Sequence, residues 1–586
     1  MRSPHSRGIV WLSALVLIVV LAPSPAPAAG NAACPGEDVF FNPGNGEDIV
    51  VPLGYKVEVF ASGLNFPTGI AFRGSTENFQ VFVLESGHGL PSRCNDNVPQ
   101  PPLNGNAFGG EFSSTNPMTP DILVFDNKGN KIAGPIGKPT PSGGGFQPDG
   151  PAIDLAFEYG FQGGRLFATD SNAAIRTAGA ANNTSRIVTV NLKTGTVTPF
   201  ITGLPTGDHP AEQLAFKNEF IYWSQGSTTN SGVVGRDNGG GQNQQDIPCQ
   251  NITLSNNVFD SGGGVKTSGY SPFGVQRPGA TIKAFDSATG VGICDGAILR
   301  AKIHVANPKS TIEPVSWGYR NPFGIRFAPD DHALKGGLLV TENGEDERGA
   351  RPTNNSPDRL QLAQQNADGS PDYHGWPDRF GFLDSTQAVF NPVGGPGDDN
   401  PAAAAGKPVQ PVLAFPPQAI TAPLALEPAD VAAVGLDFAP DSFVHGVVAR
   451  GAVLVAREGD FGFSKENGEP PAGHDIELVN FSALGERFAL EQSRFAFNCP
   501  QADQAHRPNG AAACKSIADQ AFSSHLRGIN RPVTAMFGPD HALYLVDYGA
   551  VRDFGQSDPA SKFTNPLDAP LVQIPGTGVI WKISRK

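Results

Sequence analysis

Residues 323–344 read FGIRFAPDDHALKGGLLVTENG. An alternating apolar stretch ends on Phe327, a Pro-Asp turn follows, and a second apolar stretch runs to Glu342. Alternation of period two places one set of side chains on each face of a strand, so the segment reads as a β-hairpin. The same plan recurs along the chain. PTGIAF (67–72) precedes VFVLESG (81–87), IDLAF (153–157) precedes RLFATD (165–170), and EQLAF (212–216) precedes FIYWSQG (220–226). VGLDFAPD (434–441) is followed by AVLVAREG (452–459), and TAMFGPD (534–540) by ALYLVDYG (542–549). The terminal Phe residues, at 72, 157, 216, 327, 438 and 537, are spaced by 85, 59, 111, 111 and 99 positions.

A hairpin cannot bury its own face, and six of them cycling round an axis are what a six-bladed β-propeller needs. Each blade takes two further strands, for which DILVFDNKGNKI (121–132), SRIVTVNLKTG (185–195), GAILRAKI (296–303), HDIELVNF (474–481) and GVIWKIS (578–584) are candidates. GYKVEVF (54–60) precedes the first repeat and GVIWKIS follows the last, so these two are expected to pair in one blade and close the ring, removing exposed edges. The six Phe residues read as packing between blades, without a chemical role. Segments 87–150, 230–290, 350–429 and 483–530 exceed what a blade requires and read as long loop insertions. The fold class is therefore all-β.

Composition agrees. The 586 residues include 71 Gly and 53 Pro with only 17% charged residues, which excludes a helix bundle or coiled coil, while 39% hydrophobic residues and 38 Phe supply a large core. A net charge of −14 repels nucleic acid and anionic membranes, so neither is an expected partner. No Gly-rich dinucleotide fingerprint joins a strand to a helix, which disfavours a nicotinamide enzyme.

At the start of the chain, Arg2 and Arg7 precede an apolar run from Ile9 to Ala22 and then Pro23, Pro25 and Pro27. This reads as a signal peptide over 1–28, cleaved after Ala28, because the run is shorter than the ~17–25 residues that span a bilayer. An N-terminal extension over 29–53 and a propeller over 54–586 follow, and the protein is expected to be secreted or periplasmic. Six cysteines, an even count in an exported chain, favour disulfides. Pairing by proximity joins Cys34 with Cys94, Cys249 with Cys294 and Cys499 with Cys514, one of the 15 pairings possible for six cysteines.

Three segments carry more polar groups than blade building explains. In DHPAEQL (208–214), before the third inner strand, His209 can serve as a general base; a surface histidine is the bland alternative. In SWGYRNPFG (316–324), Arg320 can bind carboxylates bidentately and Asn321 supplies donor and acceptor, although an arginine stacked between blades would look the same. TENGEDE (341–347), with Asp358 beyond it, offers the hard oxygens that calcium takes, or a solvated acidic loop.

Together with GYKVEVFASGLNFPTGIAF (54–72), YHGWPD (373–378), RPVTAMFGPDHALYLVDYG (531–549) and GVIWKIS, these segments resemble the glucose/sorbosone dehydrogenase family, from Gly54 to Ile583 in order. That resemblance implies an exported propeller using pyrroloquinoline quinone (PQQ) and calcium to oxidise a sugar, sugar aldehyde or polyol, with a quinone or cytochrome c as electron acceptor. It places His209 on the catalytic base, Arg320 and Asn321 on the cofactor-binding pair, and Asn343, Gly344, Glu345 and Asp358 on or near the calcium loop. Arg457 and Lys465 are the candidates for the late basic residues that clamp the quinone carboxylates, ahead of Arg531. PQQ is a planar tricarboxylate, so a net-acidic protein needs local cations to hold it, and calcium would also polarise the reacting carbonyl.

The chain departs from the family at WSQGS (223–227), where Ser227 stands in place of the aspartate that usually orients the histidine. QPDGPAID (147–154) aligns only loosely. Two rival readings come from other classes. One is a catalytically silent propeller acting as a binding module, favoured by the missing aspartate. The other is a calcium-dependent lactonase-type hydrolase, disfavoured by the clustering of the acids in one loop.

Overall fold

The computed structural model describes residues 43–87, 119–140, 144–148, 150–172, 184–235, 245–262, 264–285, 291–347, 349–393, 406–459, 472–484, 487–498, 528–553 and 575–586, with short strands at 29–31, 34–41, 506–508, 525–526 and 571–573. The expected signal peptide, Lys465, Cys94, Cys499 and Cys514 lie outside the described residues, as does the side chain of Cys34.

Six antiparallel blades are arranged around a central axis. Blade one runs Pro67–Ser75, Asn78–Glu85, Asp121–Asp126 and Lys131–Ile136 from the axis outward; blade two runs Leu155–Phe157, Leu166–Asp170, Ser185–Val190 and Val197–Leu204. Blade three uses Ala211–Lys217, Phe220–Gln225, Ala297–Lys302 and Glu313–Trp317, and blade four Ile325–Phe327, Leu338–Glu342, Pro357–Ala363 and Ala425–Ala429. Blade five contains Ala433–Phe438, Val453–Arg457, Asp475–Leu484 and Arg487–Asn498. Blade six contains Pro532–Phe537, Leu543–Asp547 and Gly578–Arg585, and its outer strand is the N-terminal Tyr55–Leu64. The ring is thus closed by Tyr55–Leu64 pairing with Gly578–Arg585, from Tyr55 opposite Arg585 to Leu64 opposite Gly578. All five third-strand candidates occupy that position. Part of the expected N-terminal extension is not separate, because Ile49–Pro52 adds to the outer edge of blade five.

Burial explains the sequence pattern. Second strands such as Leu338–Glu342 and Leu543–Asp547 are buried at every residue, being covered on both faces by neighbouring blades, whereas the outer Lys131–Ile136 is largely exposed. The six repeated Phe residues each pack on an aromatic ring of the preceding blade. Phe157 meets Phe82, Phe216 meets Phe167, and Phe327 meets Tyr222, with ring centroids 5.0, 5.4 and 4.9 Å apart. Phe72 meets Tyr544 across the closure, while Phe438 and Phe537 meet His332 and Phe443 in the preceding blades' turns.

Toward the axis the innermost strands are stitched by side chains. Gln213 Nε2 donates to Thr534 Oγ1, Thr534 Oγ1 to Thr68 O, and Thr68 Oγ1 to Ala152 O. Leu214 N donates to Asp154 Oδ2, Ile325 N to Gln213 Oε1, and Thr341 Oγ1 to Val434 O. Buried polar groups carry a large penalty unless paired, so this belt fixes the blades relative to one another and gives the loops at the strand ends a rigid base. Cys249 and Cys294 form a disulfide that ties the insertion in blade three to the residues just before its third strand. Among the described residues no helix is long and apolar enough to cross a membrane.

Candidate active site at the channel mouth

Loops that enter the first strand of a blade and leave the second all emerge at one end of the ring. His209 belongs to such a loop in blade three. There the chain pairs beyond its strands: Asp208 N donates to Thr228 O, His209 N to Ser227 O, and Gly226 N to Pro210 O. A Cβ at Gly226 would stand 2.1 Å from His209 Cβ, so this backbone approach requires glycine. The imidazole is partly exposed, at 22% of its side chain. Ser227 is fully buried, donates through Oγ to Thr229 O, and gives its N–H to Arg320 O.

Two carboxylates flank the imidazole instead. Asp208 Oδ2 lies 3.5 Å from Nε2 and Glu212 Oε1 lies 3.8 Å from Nδ1. Burial pushes Glu212 well above the usual carboxylate range; Arg320 opposes this, and Glu458 and Asp208 add to it. Glu458, on the blade-five side, is also raised by burial and is opposed by Arg531 and His474.

Arg320 sits between these groups. Its backbone N–H donates to Glu342 Oε1 at 2.9 Å, Nη1 to Gly344 O at 2.6 Å and Nη2 to Asp346 Oδ2 at 2.5 Å, while Asp208 Oδ2 is 3.7 Å away. Its Nε is buried with no hydrogen-bond partner among the described residues. Asn321 lies between Glu212 and Asn343. Asn230 knits this wall together, accepting from Asp346 N and donating to Asp346 O. His374 of the YHGWPD segment stacks on Tyr319 with centroids 4.5 Å apart, and so supports the arginine loop from behind.

His209, Arg320 and Asn321 are therefore brought together, with Gly344 O and Asn343 Oδ1 bonded to the latter two, whereas Glu345, Asp358 and Arg457 are engaged elsewhere. Asp358 accepts Gly344 N and Ala433 N, one on each oxygen, both at 2.7 Å; burial lifts it to about 7, and it holds the loop from below. Glu345 points into blade four, accepting from Ser356 and from Arg359 Nη2, with Oε1 buried and unpartnered among the described residues. The Asn343 amide is spent on Asn321 and Ala433. Arg457 turns toward the blade-four boundary, where Nε and Nη2 grip Asp475 at 2.7 Å each and Nη1 reaches Glu427 at 3.3 Å. Its neighbour Glu458 is the residue whose charge bears on Glu212. Arg531, ranked behind Arg457 from sequence, occupies the loop before the sixth inner strand, donates to Gly459 O and balances Glu458.

Sequence reasoning also missed Asp208, Glu212, Asp346 and Glu458 as site groups. A carboxylate at the start of a strand otherwise buried on both faces was the available signal for Glu212. The acids come from blades three, four and five, so they do not cluster in one loop as expected.

As a test of cofactor fit, the mouth offers a planar tricarboxylate the buried Arg320 Nε–H, with Arg531 on another wall. The calcium set expected from sequence does not converge: Gly344 O already accepts from Arg320, Glu345 is engaged by Ser356 and Arg359, Asp358 by two backbone N–H groups, and Asn343 by Asn321 and Ala433. Among the described residues no group of three or more His, Cys, Asp or Glu side chains is placed to hold a metal ion. Asp208 and Asp346 are the hard-oxygen groups beside the histidine and arginine.

Fold and site together define a six-bladed propeller with a histidine, an arginine and several acids at its mouth. No protein-family model and no curated protein sequence matches the chain. Among solved structures it is similar to a calcium structure of a Trichoderma reesei carbohydrate-active enzyme of family AA12, at 14% identity over 92% of this chain and 98% of that one, with a TM-score of 0.45. It is similar to the apo-form of a soluble aldose sugar dehydrogenase from Escherichia coli, at 12% identity over 91% and 100% of the two chains, with a TM-score of 0.43. A putative gluconolactonase is similar at 10% identity over 92% and 94%, with a TM-score of 0.32. At such identities, and with TM-scores below 0.5, these likenesses decide nothing about chemistry.

Proposed function

We propose that the protein is an exported dehydrogenase that oxidises a sugar, sugar aldehyde or polyol with bound PQQ. The observation that carries this reading is the position of Asp208, whose Oδ2 is 3.5 Å from His209 Nε2 and 3.7 Å from Arg320 Nη2. A base and an anion-binding guanidinium therefore share one carboxylate. PQQ, when bound, accepts the hydride equivalent that leaves the substrate carbon. His209 takes the hydroxyl proton, Asp208 stabilises the resulting imidazolium, and Arg320 with Asn321 holds the carboxylate edge of the cofactor. The described residues gather no calcium site of their own, so calcium enters the proposal only as the compensating cation that an anionic quinone beside Asp208 and Asp346 would need.

Reduction of a dye acceptor by sugar, after addition of PQQ and calcium, tests it. His209→Ala should keep the quinone while losing about 10²–10⁴-fold in turnover; no PQQ binding and no turnover in the wild type would sink the reading. A second reading gains from the convergence of Glu212, Asn321 and Glu458 from three blades: a lactonase-type hydrolase that needs no quinone. Hydrolysis of a sugar lactone with calcium alone would favour it.

A further inference from the structure

Three amides near His209 form a hydrogen-bond chain whose direction is fixed at one end. Ala433 O can only accept, so the Asn343 group 2.7 Å from it is the amide nitrogen, Nδ2. Asn343 Oδ1 then faces Asn321 and receives Asn321 Nδ2 at 2.8 Å. That leaves Asn321 Oδ1 against Glu212, 2.7 Å from Oε2 and 3.0 Å from Oε1. Two ionised oxygens and an amide oxygen cannot bond at these distances, so one partner must carry a hydrogen. Turning Asn321 end for end would give Glu212 a donor but would set Asn321 Oδ1 against Asn343 Oδ1 at 2.8 Å. Turning Asn343 as well would set its oxygen against Ala433 O. The assignment with a donor in every contact puts the proton on Glu212.

We infer that Glu212 is a neutral carboxylic acid in the resting protein, donating to Asn321 Oδ1, and that it therefore adds no negative charge beside His209. Glu212 is 2% exposed and its Oε1 lies 3.8 Å from His209 Nδ1. Ionised, it would favour the imidazolium and leave His209 unable to accept a proton. Burial favours the neutral acid, and Glu458 and Asp208 facing it do the same, while Arg320 opposes them. With Glu212 neutral, Asp208 is the carboxylate left to meet the charge that His209 acquires when it takes a proton. The role given to His209 rests on the proposed dehydrogenase reading; the protonation of Glu212 does not.

The test uses the full-length, cofactor-free protein, so failure of quinone binding leaves it intact. Infrared difference spectra at neutral pH between wild type and Glu212→Gln should show a buried carboxylic-acid C=O band that the variant lacks. In histidine-labelled protein, with the resonance assigned by His209→Gln, Glu212→Gln should move the His209 pKa by less than about half a unit, well within ordinary scatter. Asp208→Asn should lower it by about one unit or more. Absence of the acid band, or a fall of about 1–3 units in Glu212→Gln, would show an ionised Glu212 and overturn the inference. An acid band that emerges only after chelation would place a divalent cation, not a proton, between Glu212 and Asn321, and would overturn it equally. Should Glu212→Gln not fold, the wild-type band decides the assignment through Glu212→Asp: a shifted band supports it, and an unmoved one overturns it.

Discussion

Gly226→Ala probes the backbone contact that holds the proposed base. The added methyl would stand 2.1 Å from His209 Cβ and 3.2 Å from its Cα and carbonyl carbon, whereas carbon atoms pack at about 3.5–4.0 Å. His209 must therefore retreat by roughly 1.5 Å. Gly226 is not among the glycines of positive φ, so alanine meets no backbone strain and the effect is one of space alone. Overpacking of this kind costs about 1–3 kcal/mol of stability, which a large propeller tolerates. A displacement near 1 Å of a reacting group costs about 10²-fold in rate. The assay is dye-linked sugar oxidation with PQQ and calcium, with thermal melting and the His209 resonance followed alongside. The expected outcome is a folded protein, a shifted resonance and turnover reduced about 100-fold. Turnover within about threefold of wild type, with the resonance unmoved, would refute both the placement of His209 and its role.

Other consequences concern stability. Arg457→Met removes the bidentate grip on Asp475 and the contact to Glu427, which keep Arg494 and Gln492 as partners, and should cost about 1.5–3 kcal/mol in denaturation while leaving PQQ affinity unchanged. A tenfold affinity loss without destabilisation would restore Arg457 as a ligand. Glu85, opposite Asp121 across two strands, is raised by burial and by that neighbouring carboxylate to about 7. The folded state therefore holds the proton more tightly than the unfolded chain, and this contribution is full below about 4.5 and lost as pH rises toward about 7. Melting temperatures over that range should fall less steeply in Glu85→Gln than in wild type. Removing the Cys249–Cys294 disulfide, which spans 45 residues, should cost about 4 kcal/mol in denaturant titrations; no change on reduction would show the insertion to be held without it.

Much of the fold is legible in the sequence because each blade must solve the same packing problem. A Phe at the end of the first strand and a mostly apolar second strand recur wherever one blade covers the next, as at Phe216 on Phe167. The local segments DHPAEQL and GYRNPFG meet in the fold, Asp208 of the first lying 3.7 Å from Arg320 of the second. Arg457 is misread from sequence because its partners, Asp475 and Glu427, lie 18 and 30 residues away and meet it only through sheet pairing. Asp358 and Glu345 are misread for a related reason: an acidic loop over a blade needs internal acceptors for Gly344 N and Arg359 as much as it needs ligands for a metal. Glu212 stands in the DHPAEQL segment without distinguishing itself, since nothing in the sequence shows that Asn321 and Asn343 form a directed chain ending on it.

The most direct measurement of the central claim is an equilibrium titration of the full-length protein with PQQ in calcium, following the protein-bound quinone absorbance in wild type and Arg320→Gln. Saturable binding is expected in the wild type, weakened about tenfold or more in the variant. No saturable binding, or equal affinity in the two proteins, would contradict it.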